Sequence, residues 1–223
     1  MTATPPRPVD SPQSGPHEKL AEVVARHLAE PFRKPYAAHT LEAFAAIRPV
    51  VENAGKPLIF DSCCGVGEST AWIARQHPEA LVVGIDQSLH RLDKHDRAYR
   101  AEGADYLLVR ADLNDFWRLA REAGWRLSHH TLLYPNPWPK PRHLMRRWHA
   151  APVFPALLGL GGRLEVRSNW QVYIEEFVLA LAVAGIPSAV ESWAPEQPIT
   201  PFERKYQGSG QRLWRCVAEL PSR

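Results

Sequence analysis

The sequence predicts an α/β protein built on a doubly wound, seven-stranded sheet, mostly parallel with the last strand antiparallel, preceded by N-terminal helices. Three observations carry this. From Leu58 onward short apolar runs alternate with longer amphipathic ones, the pattern of a parallel sheet covered on both faces through right-handed crossovers. A glycine-bearing turn, Asp61-Ser62-Cys63-Cys64-Gly65-Val66-Gly67, follows the first run, and aspartates, Asp86 and Asp112, stand at the ends of the next two.

In chain order, residues 1–16 hold five prolines and little that is apolar, so they are expected to form a disordered tail. Residues 17–55 read as two helices packing on the domain. In the first, Leu20, Val23, Val24, His27 and Leu28 recur at helical spacing; the second, Thr40–Asn53, stops near Gly55 and Pro57. Residues 56–223 form the main domain. Strands are predicted at Leu58–Asp61, Leu81–Asp86, Tyr106–Arg110, Thr131–Tyr134, Arg163–Arg167, Ala189–Trp193 and Leu213–Glu219. Helices are predicted at Glu68–Gln76, Leu89–Glu102, Phe116–Ala123, His143–Leu158 and Val172–Ala184, the fourth of them broken or kinked by Pro152 and Pro155. A long proline-rich loop joins the last two strands, so the final one is free to run antiparallel.

Composition narrows the function classes. With 223 residues, 45% of them hydrophobic and 23% charged, the chain can bury one core without disulfides or structural metal. No apolar run is long enough for a membrane span or a signal peptide. Three cysteines, two of them adjacent, give neither a disulfide framework nor a zinc spacing. A reducing cytoplasm, no metal and a monomer or weak dimer are therefore expected. A net charge of +3 is too small to identify a polyanionic partner, so such a partner must be argued from local clustering.

The glycine turn lies where doubly wound sheets bind nucleotides. Gly65 and Gly67 let a ligand approach the backbone. A nicotinamide fingerprint needs glycine at position 70, where this chain has Thr70. Asp86 stands nineteen residues beyond Gly67, the offset at which a carboxylate accepts from ribose hydroxyls. The bland alternative is a simple turn with helix-capping aspartates. A nucleoside without a pyrophosphate, such as S-adenosylmethionine, fits better than a dinucleotide.

The second feature is Leu132–Trp148, LLYPNPWPKPRHLMRRW. Pro135, Pro137, Pro139 and Pro141 stiffen it just after a predicted strand. Lys140, Arg142, Arg146 and Arg147 follow with no acid among them. If helical, Arg142 and Arg146 share a face, as do His143 and Arg147. The cluster is read as a phosphate-contacting surface, against the alternative of a solvated helix face. Trp138 either stacks on a base or wedges into the core.

This segment resembles the Pro-Asp-Pro-Trp-x-Lys-x-Arg-His-x-x-Arg-Arg signature of the bacterial tRNA (guanine-N7)-methyltransferases, matched here by Pro135, Pro137, Trp138, Lys140, Arg142, His143, Arg146 and Arg147. The run Thr200-Pro201-Phe202-Glu203-Arg204-Lys205-Tyr206 is similar to that family's Thr-x-Phe/Tyr-Glu-x-Lys-Phe element, which contacts the target nucleotide. The glycine turn resembles the first motif of the seven-stranded methyltransferases, with Cys63 in place of the first glycine. The likeness spans about Leu58 to Leu220. It implies a Rossmann-like domain holding S-adenosylmethionine on Asp61, Cys63, Gly65, Gly67, Asp86, Gln87, Asp112, Leu113 and Asn136. It also implies a tRNA or other structured RNA on Lys140, Arg142, Arg146, Arg147, Asn169, Thr200, Phe202 and Glu203, with Asn136 in the catalytic position. The chain departs from the family where aspartates are expected, at Asn136 and Asn169.

Guanine N7 presents a lone pair with no proton to remove, so transfer to it relies on positioning and desolvation more than on a base. Asparagine can accept from an amino group or donate to a carbonyl, but it cannot balance the charge of an alkylated ring. Two alternatives follow. Asn136-Pro137-Trp138-Pro139 also looks like the Asn-Pro-Pro-aromatic motif of enzymes that methylate exocyclic amines, whose acceptor would be such an amine or a small molecule. A non-catalytic module that binds S-adenosylmethionine and RNA is the other.

Overall fold

The computed structural model describes residues 8–95 and 103–221. Its strands are β1 Leu58–Ser62, β2 Leu81–Asp86, β3 Tyr106–Arg110, β4 Leu127–Leu133, β5 Gly162–Ser168, β6 Glu191–Trp193 and β7 Leu213–Leu220. The α-helices are α1 Leu20–Ala29, α2 Ala38–Asn53, α3 Glu68–Gln76, α4 Leu89–Leu92, α5 Leu113–Glu122, α6 Phe154–Gly159, α7 Gln171–Val183 and α8 Pro201–Gly208. The strands form one sheet in the order β3-β2-β1-β4-β5-β7-β6. β1 pairs in parallel with β2 and β4, and β2 with β3, while β6 and β7 pair antiparallel. The predicted Rossmann-like topology, with its antiparallel end, is what the chain adopts.

The chain divides into two compact units. The first comprises Met1–Phe32, Tyr134–Pro155 and Glu165–Ala218; the second comprises Arg33–Leu133, Ala156–Leu164 and Glu219–Arg223. The two N-terminal helices therefore belong to different units, α1 to the first and α2 to the second.

In the second unit β1 and β2 are buried at every position, as expected of central parallel strands covered on both faces. Asp112 caps α5 by accepting from the Asn114 amide at 2.9 Å, which satisfies one of the open donors at a helix start. Leu113, Phe116, Trp117 and Ala120 then bury one face. Phe116 meets Phe60 and Phe44, and Trp125 packs on Phe44 and Phe60. Beneath them lies a polar chain in which Ser62 Oγ is 2.8 Å from His130 Nε2 and accepts from Trp117 Nε1 at 3.1 Å. Complete burial pushes the His130 imidazole down to about 3, so it is held neutral.

In the first unit α1 packs on α7 and on the 3-10 turn Trp148–Ala150. Leu20, Val23, Val24 and His27 recur at i, i+3, i+4, i+7 and are all buried. α7 is buried nearly all round, through Val172, Tyr173, Ile174, Phe177, Ala180, Leu181 and one charged residue, Glu176. Phe177 contacts Phe154, Tyr173 and His149.

Several expectations need correction. The helix expected over His143–Leu158 is a 3-10 turn at Pro141–Arg146, another at Trp148–Ala150, and α6, because the prolines remove donors and fix φ. Part of the predicted Leu89–Glu102 helix lies outside the described residues. β4 begins four residues earlier than the apolar run suggested, because His129 and His130 are strand residues, and it ends before Tyr134, whose φ is 51°. The proline-rich connection before β7 contains α8, which Thr200 caps by accepting from Glu203 N at 2.9 Å. Within the stretch read as a disordered tail, Ser11 and Gln13 make hydrogen bonds to Pro139 and Glu176; residues 1–7 lie outside the described residues.

Candidate active site

In the second unit, chain geometry at the end of β1 is set by backbone conformations that side chains resist. Cys63, Gly65 and Gly67 have φ of 61°, 62° and 74°. Only at the two glycines is this free of strain. The glycines differ in use. A Cβ on Gly67 would lie 2.7 Å from His95 Nδ1 and 3.0 Å from Leu108, whereas one on Gly65 would meet nothing within 4 Å. Gly67 thus serves close packing at the start of α3, and Gly65 leaves the loop open to a ligand. Behind the loop, His95 lies 3.0 Å from the Val66 carbonyl and 2.8 Å from the Tyr106 hydroxyl.

Asp61 is fully buried. Its Oδ2 accepts from Ser69 and Thr70 at 2.6 and 2.7 Å, and its Oδ1 from Thr131 at 3.1 Å. It ties β1 to α3 and β4 and offers a ligand no surface, which corrects its assignment to direct cofactor contact. Asp86, at the end of β2, accepts from Gly65 N at 3.1 Å and Ser88 N at 2.8 Å, with Arg91 at 3.6 Å. Each oxygen takes one backbone donor, and a carboxylate has capacity for about four, so lone pairs remain for ribose hydroxyls. Gln87 is exposed beside it. Asp112 is a helix cap, its Oδ2 3.6 Å from Lys34 Nζ, and it stays partly exposed. Leu113 is buried and is the first residue of α5, where a helix's backbone donors have no partner within the helix. Cys63 is half-buried, while burial pushes the neighbouring Cys64 thiol well up.

The open face at Gly65 and the acceptors on Asp86 and Asp112 fit a nucleoside with hydroxyl and amino donors.

The first unit carries the basic segment. Asn136 is exposed, and its Oδ1 accepts from Trp138 N at 3.3 Å. Lys140, Arg142 and Arg146 are exposed as well. Because the segment is a 3-10 turn with three residues per turn, the shared edge is His143 with Arg146 and not the pairs expected for an α-helix. Both flank Trp138: the Arg146 guanidinium sits 4.7 Å over its ring, and the His143 ring meets it edge-on at 5.5 Å. Trp138 is half-buried, with φ of 47°, and so is no core wedge.

Arg147 does not join this surface. It has no exposed area and forms a pair with Glu176, Nη1 to Oε1 at 2.7 Å and to Oε2 at 2.5 Å. Its assignment to phosphate is corrected: the charge is spent inside the first unit. Burial pushes the Glu176 carboxyl up, but the hydrogen bonds and charges of His149 and Arg147 outweigh that and hold it at about 2. Burial lowers the His149 imidazole. Its Nε2 lies 2.9 Å from Glu176 Oε2, and its buried Nδ1 has no hydrogen-bond partner.

Glu203 is also buried rather than open to a base. It accepts from Tyr134 Oη at 2.7 Å, Arg167 Nη1 at 3.0 Å, Trp193 Nε1 at 3.0 Å and Ile199 N at 2.9 Å. Burial and this carboxylate push the Tyr134 phenol far up. Thr200 is the buried cap of α8. Glu203 and Thr200 hold α8 in place, which corrects their assignment to substrate. Phe202 is exposed and stacks on Tyr206 at 6.1 Å. Asn169 Nδ2 donates to Gln211 Oε1 at 3.0 Å.

Sequence reasoning missed Glu176, His95 and Gln13. Glu176 carries a weak signal, an acid within an apolar helix; the other two carry none.

An open glycine and two carboxylates at strand ends, in a doubly wound sheet lacking a pyrophosphate fingerprint, are what an S-adenosylmethionine-dependent methyltransferase requires. The family described as "Putative methyltransferase", Methyltransf_4, matches residues 55–216, and the chain belongs to it. Two tRNA (guanine-N(7)-)-methyltransferases are similar in sequence. That of Acidovorax sp. is 27% identical over 228 residues, covering 92% of this chain and 80% of the relative. That of Thiobacillus denitrificans is 27% identical over 213 residues, covering 92% and 88%. Among solved structures, the 16S rRNA methyltransferase KamB superposes with a TM-score of 0.59 at 17% identity, covering 84% of this chain and 96% of that one, a likeness of fold. No helix among the described residues is long and apolar enough to cross a membrane.

Proposed function

We propose that this enzyme methylates N7 of a guanine in tRNA, in the cytoplasm. The observation that carries the reading is the exposed face of Lys140, Arg142 and Arg146 around the half-buried Trp138, on a proline-stiffened segment that follows β4 in the chain. Its chemistry suits a phosphate backbone with an unstacked base, and the similar relatives are named for this substrate. S-adenosylmethionine supplies, when bound, a methyl group on a sulfonium. Asp86 and the Gly65 backbone bind it, with Asp112 at its base. Asn136 orients the target, its amide able to donate to guanine O6. Lys140, Arg142 and Arg146 hold phosphates, and Trp138 stacks. No group needs to remove a proton, because N7 carries none.

Incubating unmodified tRNA with the protein and labelled S-adenosylmethionine, then digesting it to nucleosides for mass spectrometry, tests this. Label on 7-methylguanosine supports the reading. Label on an exocyclic amine, or tRNA binding without transfer, replaces it by one of the two alternatives.

A further inference from the structure

Trp138 is a bulky residue at φ 47°, a conformation that costs free energy unless the surroundings impose it. Here they do. The Trp138 carbonyl accepts from Arg147 Nε at 3.2 Å and Nη2 at 3.1 Å. The Pro139 carbonyl accepts from Ser11 Oγ at 2.7 Å. The Lys140 carbonyl accepts from His143 N at 2.9 Å. Arg147 is in turn held by Glu176, and Gln13 bridges the two: its Oε1 accepts from Arg147 Nη2 at 3.0 Å, and its Nε2 donates to Glu176 Oε1 at 2.6 Å. The His17 amide donates to the same carboxylate oxygen at 2.9 Å. Three consecutive carbonyls behind the half-buried Trp138 ring and the exposed Lys140 side chain are thus fixed by the buried pair, the N-terminal strap and the backbone of the following turn.

We propose that Ser11, Gln13, Arg147 and Glu176 are positioning residues for RNA: the strap Ser11–His17 and the buried pair lock Trp138–Lys140 in the strained conformation that presents the stacking ring and the first cation of the basic face. The lock rests on the RNA reading of that face, and its Arg147–Glu176 pair is closed to solvent. Its energetic effect is preorganisation, since a segment already held in its bound conformation loses less freedom on binding.

The test uses the full chain with Ser11→Ala and Gln13→Ala combined, and Ser11→Thr as the conservative variant. Three quantities are read: amide hydrogen exchange over residues 138–147, the KM for tRNA against kcat, and the affinity for S-adenosylmethionine. The double variant loses three part-buried hydrogen bonds, from Ser11 to Pro139 and between Gln13 and both Arg147 and Glu176, which corresponds to roughly tenfold or more in an equilibrium constant. We expect exchange about tenfold faster in that segment alone and a tRNA KM raised about tenfold, more than kcat falls. Cofactor affinity stays within twofold, and Ser11→Thr behaves as the unsubstituted protein. Unchanged exchange overturns the lock. So does a uniform rise in exchange with parallel loss of cofactor affinity, which marks plain destabilisation. An unsubstituted chain that binds no tRNA overturns the RNA role, while the exchange measurement still decides the lock.

Discussion

Glu176→Gln isolates the buried pair. Glutamine keeps the shape but removes the charge that Arg147 faces and turns one acceptor into a donor beside Arg147 or His149. Stripping one partner from a buried pair costs about 3–5 kcal/mol. An independent route gives a similar size. The carboxyl sits at about 2 against its ordinary 4.5, and at about 1.4 kcal/mol per pH unit this is about 3 kcal/mol in favour of the folded, ionised form. The folded-state value is depressed, so this stability is fully present above about pH 4.5 and is lost as pH falls toward 2. Urea unfolding followed by circular dichroism should show the variant about 3 kcal/mol less stable at pH 7, with the gap closing toward pH 2. A gap under 1 kcal/mol at pH 7, or one that stays constant on acidification, refutes the reasoning.

Further expectations concern the two sides of the proposed chemistry and the second unit's core. Asp86→Ala removes the acceptor that clamps Gly65 N and should weaken S-adenosylmethionine binding at least tenfold by calorimetry, with tRNA affinity little changed. Lys140→Ala should do the reverse, weakening tRNA binding and reducing the slope of its salt dependence by about 1; equal effects of both variants on both ligands would break that division of labour. Gly67→Ala places a Cβ against His95 and Leu108 at φ 74° and should lower stability in urea unfolding more than Gly65→Ala, whose Cβ meets no protein atom within 4 Å and which should act instead on cofactor affinity. His130 is held near 3 against an ordinary 6.5. The unfolded chain therefore takes up a proton first, and stability should fall by up to about 1.4 kcal/mol per pH unit between about 6.5 and 3. His130→Gln should flatten that slope in denaturation curves.

What the sequence makes legible follows from how local each feature is. β1, β2 and β3 announce themselves as apolar runs because both faces are covered, and α3 is bounded by its glycine and by the change in pattern at Gln76. The ends of β4 escape notice because His129 and His130 look like loop residues until a neutral, buried imidazole is accounted for. α8 hides among prolines, although Thr200 and Glu203 form a cap once paired. Charge misleads where its partner is distant: Arg147 stands in a basic run, and nothing near it signals Glu176, 29 residues on. Glu203 and Asp61 mislead for the same reason, since a polar residue turned inward and one turned toward a ligand have the same sequence signature. Asn136, Lys140, Arg142 and Arg146 are exposed as the motif suggests.

The central claim is that this methyltransferase carries its methyl group to N7 of a guanine in tRNA. Nucleoside mass spectrometry of unmodified tRNA, with the cofactor present and the protein added or withheld, tests it most directly. The account predicts 7-methylguanosine that appears only with the protein and disappears with Asp86→Ala. A nucleoside profile identical with and without the folded protein would contradict it.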